Sequence, residues 1–425
     1  MAYGDNIKIA IFSDTHFGFG KGTETEDDCY EQAEEAFKIS EGCDMILVPG
    51  DIFDSRVPGQ DVLAKALNIF FHAKTVSCDT ELVQVKGNEQ DIHPLNKTGI
   101  PTVAIAGTHE RRGKDMTNPV NLLNATGYLI GLHSETAIYR KDKETVAITG
   151  ISGVPEAFAR EVFKKIDPRP EEGCINIMLM HQSVGKYVYT DERSPGLDIE
   201  DLPEGFDLIV NGHIHWRNDC MIGPKKDTLF LIPGSTLTTQ VRSNEAGKDK
   251  GVTIYDTKTK KTEFIPLKSQ RKVIYKEIEC NKKSIREIKE QVVEYLSKIS
   301  KESFEKKPVV RIRLTGNIDS NNSRIDLSDI IAKNRDRYIL SFRNSLENSK
   351  QDKSMKLLSE LMENRVSVDN MGLEIMKDYA GKAKISFDCR QIFELLADGR
   401  IEDAENMLLK LPKEKIQDEK GEKTA

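Results

Sequence analysis

The sequence has few cysteines for its length, and none of them stands close to another. Seven are scattered over 425 residues, and no two are separated by only two positions. This distribution argues against a disulfide framework and against a thiolate zinc site, and it is typical of a reducing cytoplasm. The cysteines are Cys29, Cys43, Cys78, Cys174, Cys220, Cys280 and Cys389.

Long apolar runs are also missing. No stretch approaches the ~20 residues that a membrane-spanning helix needs, and residues 1–6 show no basic segment followed by an apolar one. We therefore expect no membrane span, no signal peptide and a cytoplasmic location. A surplus of positive charge is absent too, because the formal net charge is −7. The total charge thus gives no indication of nucleic-acid binding.

The chain does have enough apolar material for a large core, with 38% hydrophobic and 31% charged residues. Its length suggests two or three domains. Over residues 7–266, short apolar runs alternate with stretches of helical pattern such as Cys29–Ser40 and Val62–Phe71, which predicts an α/β fold with covered sheets. The expected strands are Ile7–Phe12, Met45–Val48, Thr102–Ala106, Val146–Gly150, Ile175–Met180, Leu208–Val210, Leu229–Ile232 and Val252–Tyr255.

A different pattern begins near residue 268. Apolar residues recur at spacings of three and four from Ile285 to Ile299, which predicts an amphipathic helix. Strands are expected at Val273–Ile278, Val310–Leu314 and Tyr338–Phe342. Residues 268–343 contain nineteen lysines and arginines against eleven acids, so this small α+β unit carries +8 and the rest of the chain −15. Such a unit either grips a DNA backbone or presents a solvated charged face.

Beyond residue 344 the pattern is helical, and the chain ends in a charged tail that we expect to be disordered. Helices are expected at Met355–Leu361, Cys389–Leu396 and Ile401–Leu411, with Asp398 and Gly399 separating the last two. These changes predict four segments: a domain over 1–266, a basic α+β domain over 267–345, a helical region over 346–412 and a tail over 413–425.

Five of the predicted strand ends carry aspartate or histidine, at the edge where α/β folds build their sites. One such residue alone is usually a hydrogen-bonded structural residue or a helix cap, but five in one register are hard to explain separately. Two metal ions that share a carboxylate would use this set, and mixed oxygen and nitrogen ligands suit manganese, iron or zinc better than calcium. The motifs are Asp14-Thr15-His16, Gly50-Asp51-Ile52-Phe53-Asp54, Gly107-Thr108-His109-Glu110, His181 and Gly212-His213-Ile214-His215.

In order and spacing, these motifs resemble those of the calcineurin-like metallophosphoesterases. The second motif, Asn118-Pro119 with Leu122-Leu123, and Pro233-Gly234-Ser235-Thr236 resemble more narrowly the nuclease subunit of the Mre/SbcD double-strand-break-repair family. The resemblance covers about residues 7–266, and the later regions match in layout. It implies a sandwich of two mixed β-sheets flanked by helices, a small α+β cap domain, and C-terminal helices that bind a Rad/SbcC-type ATPase.

The resemblance also implies a role for each residue of the motifs. His109 would not be a ligand, because in the family this position contacts phosphate and helps to protonate the leaving oxygen. Two ions would neutralise the charge that develops during in-line attack at phosphorus. The implied ligands are Asp14, His16 and His215 for the first ion, and His181 and His213 for the second, with Asp51 bridging the two.

The third motif departs from the family at Thr108. The family normally has Gly-Asn-His there, and the asparagine amide oxygen is a ligand of the second metal. A hydroxyl reaches less far and binds more weakly, so Thr108 could bind directly, bind through water, or leave the second ion loosely held. We interpret the pair Gly87-Asn88 as unrelated, because no suitable strand precedes it and no histidine follows. Arg111 and Arg112 could grip phosphate or form a solvated basic turn.

The favoured function is a manganese-dependent DNA exonuclease and endonuclease that hydrolyses phosphodiester bonds at DNA ends in double-strand break repair. Two Mn²⁺ ions per chain and an ATPase partner are expected. The resemblance further implies a homodimer formed by helices after the second and third motifs, and a prokaryotic protein working at the nucleoid. Two alternatives stay open: a metallophosphoesterase with another phosphoester substrate, and a DNA-tethering scaffold weakened at Thr108.

Overall fold

In the computed structural model, the chain forms two compact units. One unit comprises residues 1–111 and 118–351, and the other comprises residues 112–117 and 352–425. The structure describes residues 6–87, 92–113, 116–188, 196–317, 325–347, 373, 376–378, 380–381, 387–397 and 400–409.

Of the elements in the described residues, the first unit contains all the strands and the helices α1 to α6. Its strands are β1 (Lys8–Ile11), β2 (Met45–Val48), β3 (Glu81–Lys86), β4 (Thr102–Ala104), β5 (Ile130–Gly131), β6 (Glu135–Lys141), β7 (Glu144–Ile151), β8 (Ile175–Met180), β9 (Leu208–Asn211), β10 (Asn218–Ile222), β11 (Thr228–Ile232), β12 (Gly251–Asp256), β13 (Lys261–Pro266), β14 (Val273–Glu279), β15 (Val309–Asn317) and β16 (Ile339–Glu347). Its helices are α1 (Asp28–Ile39), α2 (Gln60–Thr75), α3 (Pro119–Ala125), α4 (Ala159–Ile166), α5 (Ile285–Ile299) and α6 (Ser328–Asn334).

Two large sheets are mixed, as predicted. The first has the order β13-β12-β1-β2-β4-β5, in which β1, β2, β4 and β5 run parallel and β12 runs antiparallel to both of its neighbours, β1 and β13. The second has the order β10-β11-β9-β8-β7-β6-β3, with a parallel centre formed by β11, β9, β8 and β7. The parallel strands at the centre of each sheet must be buried on both faces. Here the other sheet covers one face and helices cover the opposite face.

The main core lies between the two sheets. In β1, Ile9 and Ile11 point into this layer, whereas Ala10 points to the other face, as the two-residue period of a strand requires. Leu47 of the first sheet and Val210 of the second are fully buried in the same cluster. The apolar runs of the central strands are therefore explained by burial on both faces.

Helices cover the outer faces of the sandwich. Phe37 of α1 and Phe70 of α2 are buried against the first sheet, and their rings meet edge to face with centroids 5.0 Å apart. Phe163 of α4 is buried on the outer side of the second sheet with Met178. The fold is thus two sheets between layers of helices, which confirms the predicted α/β sandwich.

Residues 273–347 form the small α+β part. The parallel sheet β14-β15-β16 buries Val310 and Ile312 under α5, which contributes Ile288 and Val292. The helix begins at a capping box, because Ser284 and the residue three positions later exchange side-chain and backbone hydrogen bonds. The predicted helix Ile285–Ile299 is confirmed in full.

Part of the positive charge of this region is paired with α1. Arg271 donates from Nη2 to Asp28 Oδ1 at 2.9 Å, and both side chains are largely buried. Lys306 forms an ion pair with Glu31 on the same helix. The net charge of +8 over residues 268–343 therefore includes cations that are paired with carboxylates elsewhere in the first unit.

Several strands were not predicted, namely β3, β5, β6, β10 and β13. β3, β10 and β13 are half exposed and stand at sheet edges, so each depends on pairing with one neighbour more than on its own apolar content. The expectation that no suitable strand precedes Gly87 was incomplete, because β3 ends there. That strand is the edge of the second sheet, and Asn88 lies outside the described residues.

The second unit contributes the helices α7 (Cys389–Ala397) and α8 (Ile401–Leu409), close to the predicted bounds. The predicted helix Met355–Leu361, the junction at Asp398 and Gly399, and the tail over 413–425 lie outside the described residues. The finer division into four segments stays a prediction. Among the described residues, no helix is both long and apolar enough to cross a bilayer.

Candidate metal centre

The five motifs meet where the central strands of both sheets end. β1, β2 and β4 are parallel neighbours in the first sheet, and β8 and β9 are parallel neighbours in the second. Carboxyl ends of parallel strands share one edge, so the following loops converge. In chain order, the residues that follow these strands are Asp14, Asp51, Thr108, His181 and His213.

Glycines allow the loops to approach each other this closely. A Cβ atom at Gly107 would lie 2.2 Å from Asp51 Oδ1, and one at Gly212 would lie 2.1 Å from the carbonyl oxygen of Pro49. Both distances are far inside van der Waals contact. The glycines that open the third and fifth motifs are therefore required by packing.

Four of the predicted ligands have a left-handed backbone. The φ angles are 53° at Asp14, 44° at His16, 47° at Asp51 and 74° at His213. Residues other than glycine avoid this region, and such residues concentrate at functional sites where the surrounding structure holds them. The turns after β1, β2 and β9 thus direct side chains into the cleft at a conformational cost.

Asp14, His16 and His215 form one group of possible ligands. They offer atoms that all lie within 4.8 Å of one another. His16 Nε2 is 3.2 Å from His215 Nε2, and His215 Nε2 is 3.6 Å from Asp14 Oδ1. Two nitrogen ligands of one tetrahedral ion lie roughly 3.4 Å apart, so this group fits a single ion.

Asp51, His181 and His213 form a second group within the same limit. His181 Nε2 is 3.1 Å from Asp51 Oδ2, and its Nδ1 lies 2.8 Å from the carbonyl oxygen of Pro49, which directs the other nitrogen into the cleft. The two groups are adjacent, because the backbone N–H of His213 donates to Asp14 Oδ1 at 3.2 Å. The structure therefore brings all six predicted histidine and aspartate ligands together.

The protonation of the second group fits a cation there. Burial, assisted by the charge of His181, lowers the pKa of His213 to about 3, which keeps its imidazole neutral. Burial acts against protonation of His181, but the carboxylate of Asp51 outweighs it and raises the pKa of His181 to about 10. A proton balances Asp51 where a metal would, and metal binding would displace it.

The first group also has a feature that fits a cation. Asp14 is fully buried, and its Oδ2 has no hydrogen-bond partner among the described residues. An unpaired buried carboxylate oxygen is costly. The donor set of carboxylates and imidazoles is one that a divalent transition metal accepts. The residues present therefore fit two metal ions.

Thr108 lies beside the second group, and its role as a ligand stays a prediction. Its hydroxyl donates to Asp51 Oδ2 at 3.3 Å. The carboxylate of Glu156 is close by, with Oε1 3.8 Å from His213 Nε2, and it accepts hydrogen bonds from the backbone of Ser183 and Gly196. Sequence reasoning did not single out Glu156, because it lies several residues beyond the end of β7 and matches no motif.

His109 lies at the same cleft, and Asp54 holds it. His109 Nδ1 is 2.9 Å from the Asp54 carbonyl oxygen, and Asp54 Oδ1 is 3.3 Å from His16 Nδ1. Burial opposes protonation of His109, but the Asp51 and Asp54 carboxylates and the Asp54 carbonyl raise its pKa above the usual value. His109 also belongs with His16 and Asp54 to a third set of possible ligand atoms within 4.8 Å of one another, and its role as a proton donor stays a prediction.

Glu110 is a second residue whose role the sequence did not reveal. It is fully buried, and it accepts hydrogen bonds from the backbone N–H groups of Asp51 (3.1 Å), Phe53 (2.7 Å) and Gly107 (2.6 Å). These bonds join the loop after β2 to the loop after β4. Its position directly after His109 was the only signal in the sequence.

The two arginines after the third motif differ in what the structure shows. In the second unit, Arg112 donates from Nη1 to the carbonyl oxygen of Thr117 at 3.2 Å, so its guanidinium supports its own loop. Arg111 is half-buried at the end of the first unit's segment. A phosphate-binding role for either residue stays a prediction.

Comparisons with known proteins agree with this geometry. Residues 7–217 match the family model described as Calcineurin-like phosphoesterase. The chain is similar to the DNA double-strand break repair protein Mre11 of Thermoplasma acidophilum, with 30% identity over 334 residues, which cover 75% of this chain and 79% of the relative.

Two eukaryotic relatives are matched over less of their length. The double-strand break repair protein MRE11 of Arabidopsis thaliana is 25% identical, over 72% of this chain and 48% of the relative. That of Encephalitozoon cuniculi is 30% identical, over 56% of this chain and 43% of the relative. With two ligand groups at the strand ends of a two-sheet sandwich, the chain belongs to the Mre11 family of calcineurin-like phosphoesterases and is a metal-dependent hydrolase.

Proposed function

We propose that this protein is a manganese-dependent DNA nuclease, with exonuclease and endonuclease activity at the ends of double-strand breaks. The observation that carries the proposal is the pair of adjacent ligand groups with His109 beside them, in a chain of the Mre11 family. The names of the relatives point to DNA breaks as the substrate.

Different residues of the chain would hold the metal ions and donate the proton. When bound, two metal ions would neutralise charge on the phosphate and activate water. His109 would protonate the leaving oxygen, and the Asp54 carbonyl oxygen, 2.9 Å from its Nδ1, would keep the other ring nitrogen directed at substrate. The residues that would hold the ions are Asp14, His16 and His215 for the first, and His181 and His213 for the second, with Asp51 between them and Thr108 beside Asp51.

Manganese is proposed from the chemistry of the ligands. Each group combines a carboxylate with two imidazoles and contains no thiolate. Magnesium and calcium prefer sets made only of oxygen, whereas manganese accepts both oxygen and nitrogen. Zinc and iron accept this set as well, so the rates of DNA cleavage with each of the three metals test the choice of manganese.

Contact with DNA is proposed for the sheet of the α+β part. Val310 and Ile312 of β15 face the helix α5, so Arg311 and Arg313 lie on the opposite face, where Arg313 is directly across from Arg343 of β16. Three arginines on one face suit a phosphate backbone. The pairing of Arg271 and Lys306 with α1 removes those cations from the DNA-binding surface that we propose.

A homodimer is proposed through α2 and α3. Phe71 of α2 is 48% exposed and Leu122 of α3 is 38% exposed, which is a large apolar area to leave in water. The ring of Phe71 lies 6.4 Å from that of Tyr128, which follows the end of α3, so α2 and the segment after α3 contribute to one surface. Apolar patches of this kind mark interfaces between proteins.

An ATPase partner is proposed for the second unit. Leu396 of α7 is 44% exposed, and Ile401 and Leu408 of α8 are 65% and 40% exposed. Amphipathic helices with exposed apolar residues bind grooves and coiled coils of partner proteins. A Rad/SbcC-type ATPase is the partner that the family suggests.

The test is cleavage of linear duplex and single-stranded DNA with Mn²⁺. We expect His109→Ala to reduce the rate by roughly 10²- to 10⁴-fold, because general acid catalysis is lost. His72→Ala is the matched control, since His72 pairs with Glu41 on an exposed surface away from the motifs. Cleavage that is unchanged in His109→Ala would contradict the proposal.

Thr108 supports a second candidate, a DNA-tethering scaffold with a weakened second metal site. Its hydroxyl binds Asp51 and stands where the family has an amide ligand. A scaffold would shift DNA in an electrophoretic assay without cutting it at any Mn²⁺ concentration. A phosphoesterase with another substrate would hydrolyse bis-p-nitrophenyl phosphate and leave DNA intact.

A further inference from the structure

Behind the first ligand group lies a buried ion pair that no motif contains. Lys250 stands directly before β12, and Glu245 lies in the loop that leads to it. Lys250 Nζ is 2.9 Å from Glu245 Oε1, and each side chain is only 2% exposed. Burying two charges costs more than burying apolar side chains of the same size unless every polar atom is well placed.

The ammonium group of Lys250 is directed at His215. It donates to the carbonyl oxygen of His215 at 2.7 Å and to Ser235 Oγ at 2.8 Å, in addition to Glu245. These three acceptors use all three protons of the ammonium group. Lys250 therefore holds the backbone of a predicted ligand in the turn after β9.

The imidazole of His215 is held from the same side. Thr239 Oγ1 lies 2.8 Å from His215 Nδ1, within hydrogen-bond distance, and Glu245 Oε1 lies 3.8 Å from the same nitrogen. This contact leaves Nε2 facing His16 and Asp14. Metal-binding histidines typically donate their second N–H to such a partner, which sets the tautomer and raises the basicity of the ligand.

We propose that Thr239, Glu245 and Lys250 are positioning residues for the first metal ion, acting through His215. The inference rests on the proposed two-metal function and adds which residues determine the affinity of one ion. The three residues converge on the backbone and the ring of a single ligand, whereas packing alone would be served by apolar side chains. Outer partners of this kind contribute roughly 10- to 100-fold to metal affinity.

The test measures binding of Mn²⁺ alone, by the electron paramagnetic resonance signal of free Mn²⁺, with full-length protein and no substrate. In Thr239→Val and Lys250→Met we expect one of two ions to bind roughly 10- to 100-fold more weakly, with the other unchanged. Thr239→Val has nearly the native shape, so it keeps the inference testable if Lys250→Met does not fold.

The control is Lys141→Met. Lys141 pairs with Asp44 at 2.7 Å, and their side chains are 14% and 18% exposed, away from the motifs. We expect this variant to bind both ions as wild type does. A second control is a double-mutant cycle with His215→Ala. In a protein that already carries His215→Ala, the added change Lys250→Met should not lower the affinity for the first ion any further.

The outcomes separate this inference from the proposed function. If wild type binds two ions and both outer variants bind them with unchanged affinity, the inference is overturned and the proposed function stands, even if the melting temperature falls. If wild type binds no Mn²⁺, the inference and the proposed function are both overturned. Weakening of one ion that persists when His215 is already absent would also overturn the inference, because the effect would not run through His215.

Discussion

The two ligand groups differ in how the protein supports them. In the first, the side chains of Asp14, His16 and His215 are 0%, 2% and 6% exposed, with hydrogen-bonded partners behind His215. In the second, His181 is as deeply buried, but His213 is 18% exposed and Thr108 offers only a hydroxyl, which donates to Asp51 Oδ2. Burial and outer partners make a site rigid and dry, so we expect the first ion to be held more firmly than the second.

Removing one histidine from each group tests this comparison most strongly. We expect His215→Ala to weaken the first ion by more than the roughly 100-fold that outer partners contribute, because a ligand is lost directly. His213→Ala should weaken the second ion from an already lower affinity. Both are measured by titration with Mn²⁺. Equal affinities of the two ions in wild type would contradict the comparison.

The next largest effect is expected at Glu110, which joins the loops of the second group. Glu110→Ala leaves three buried N–H groups without an acceptor, at a cost of about 1–3 kcal/mol each. We therefore expect the free energy of unfolding without metal to fall by roughly 3 kcal/mol or more.

The matched control is Glu34→Ala on α1, whose pair with Lys38 is half exposed and contributes less than about 1 kcal/mol. Urea titration in the presence of EDTA measures both changes. A loss in Glu110→Ala no larger than in Glu34→Ala would show that the three hydrogen bonds do not support the loops.

Thr108→Asn should sharpen the comparison by strengthening the weaker site. An amide oxygen reaches further than the hydroxyl that now binds Asp51. We expect the second ion to bind roughly tenfold more tightly, which corresponds to about 1.4 kcal/mol, while the first is unchanged. If Mn²⁺ affinity does not move, Thr108 or another group already provides an adequate ligand.

The smallest effect is expected at Glu156, whose Oε1 lies 3.8 Å from His213 Nε2. It is 39% exposed, so solvent screens its charge and the interaction is worth roughly 0.2–1 kcal/mol. Glu156→Gln should weaken the second ion up to about fivefold. Glu161→Gln, on the exposed side of α4, is the control. A loss of 100-fold or more would instead make Glu156 a direct ligand.

The elements that could be predicted were those whose own sequence segment carries a clear apolar pattern. The central strands and α5 were predictable because burial on both faces, or at a helical period, leaves a pattern within one segment. The edge strands β3, β10 and β13 were missed because they are half exposed and depend on pairing with one neighbour, which for β3 is the distant strand β6. The basic count of residues 268–343 could not show that Arg271 and Lys306 pair with α1, since their partners lie over 200 residues away.

The sequence by itself determined the identities and order of the motif residues, including the double histidine after β9 and the threonine at position 108. Such features can be recognised within short segments, because the reaction needs particular side chains directly after the strands. Tertiary structure alone decided that Glu110 joins two loops, that Glu156 stands near His213, and that Lys250 supports His215. Lysine and glutamate are ordinary surface residues in any sequence, and only the burial that folding imposes makes their charges act on one ligand.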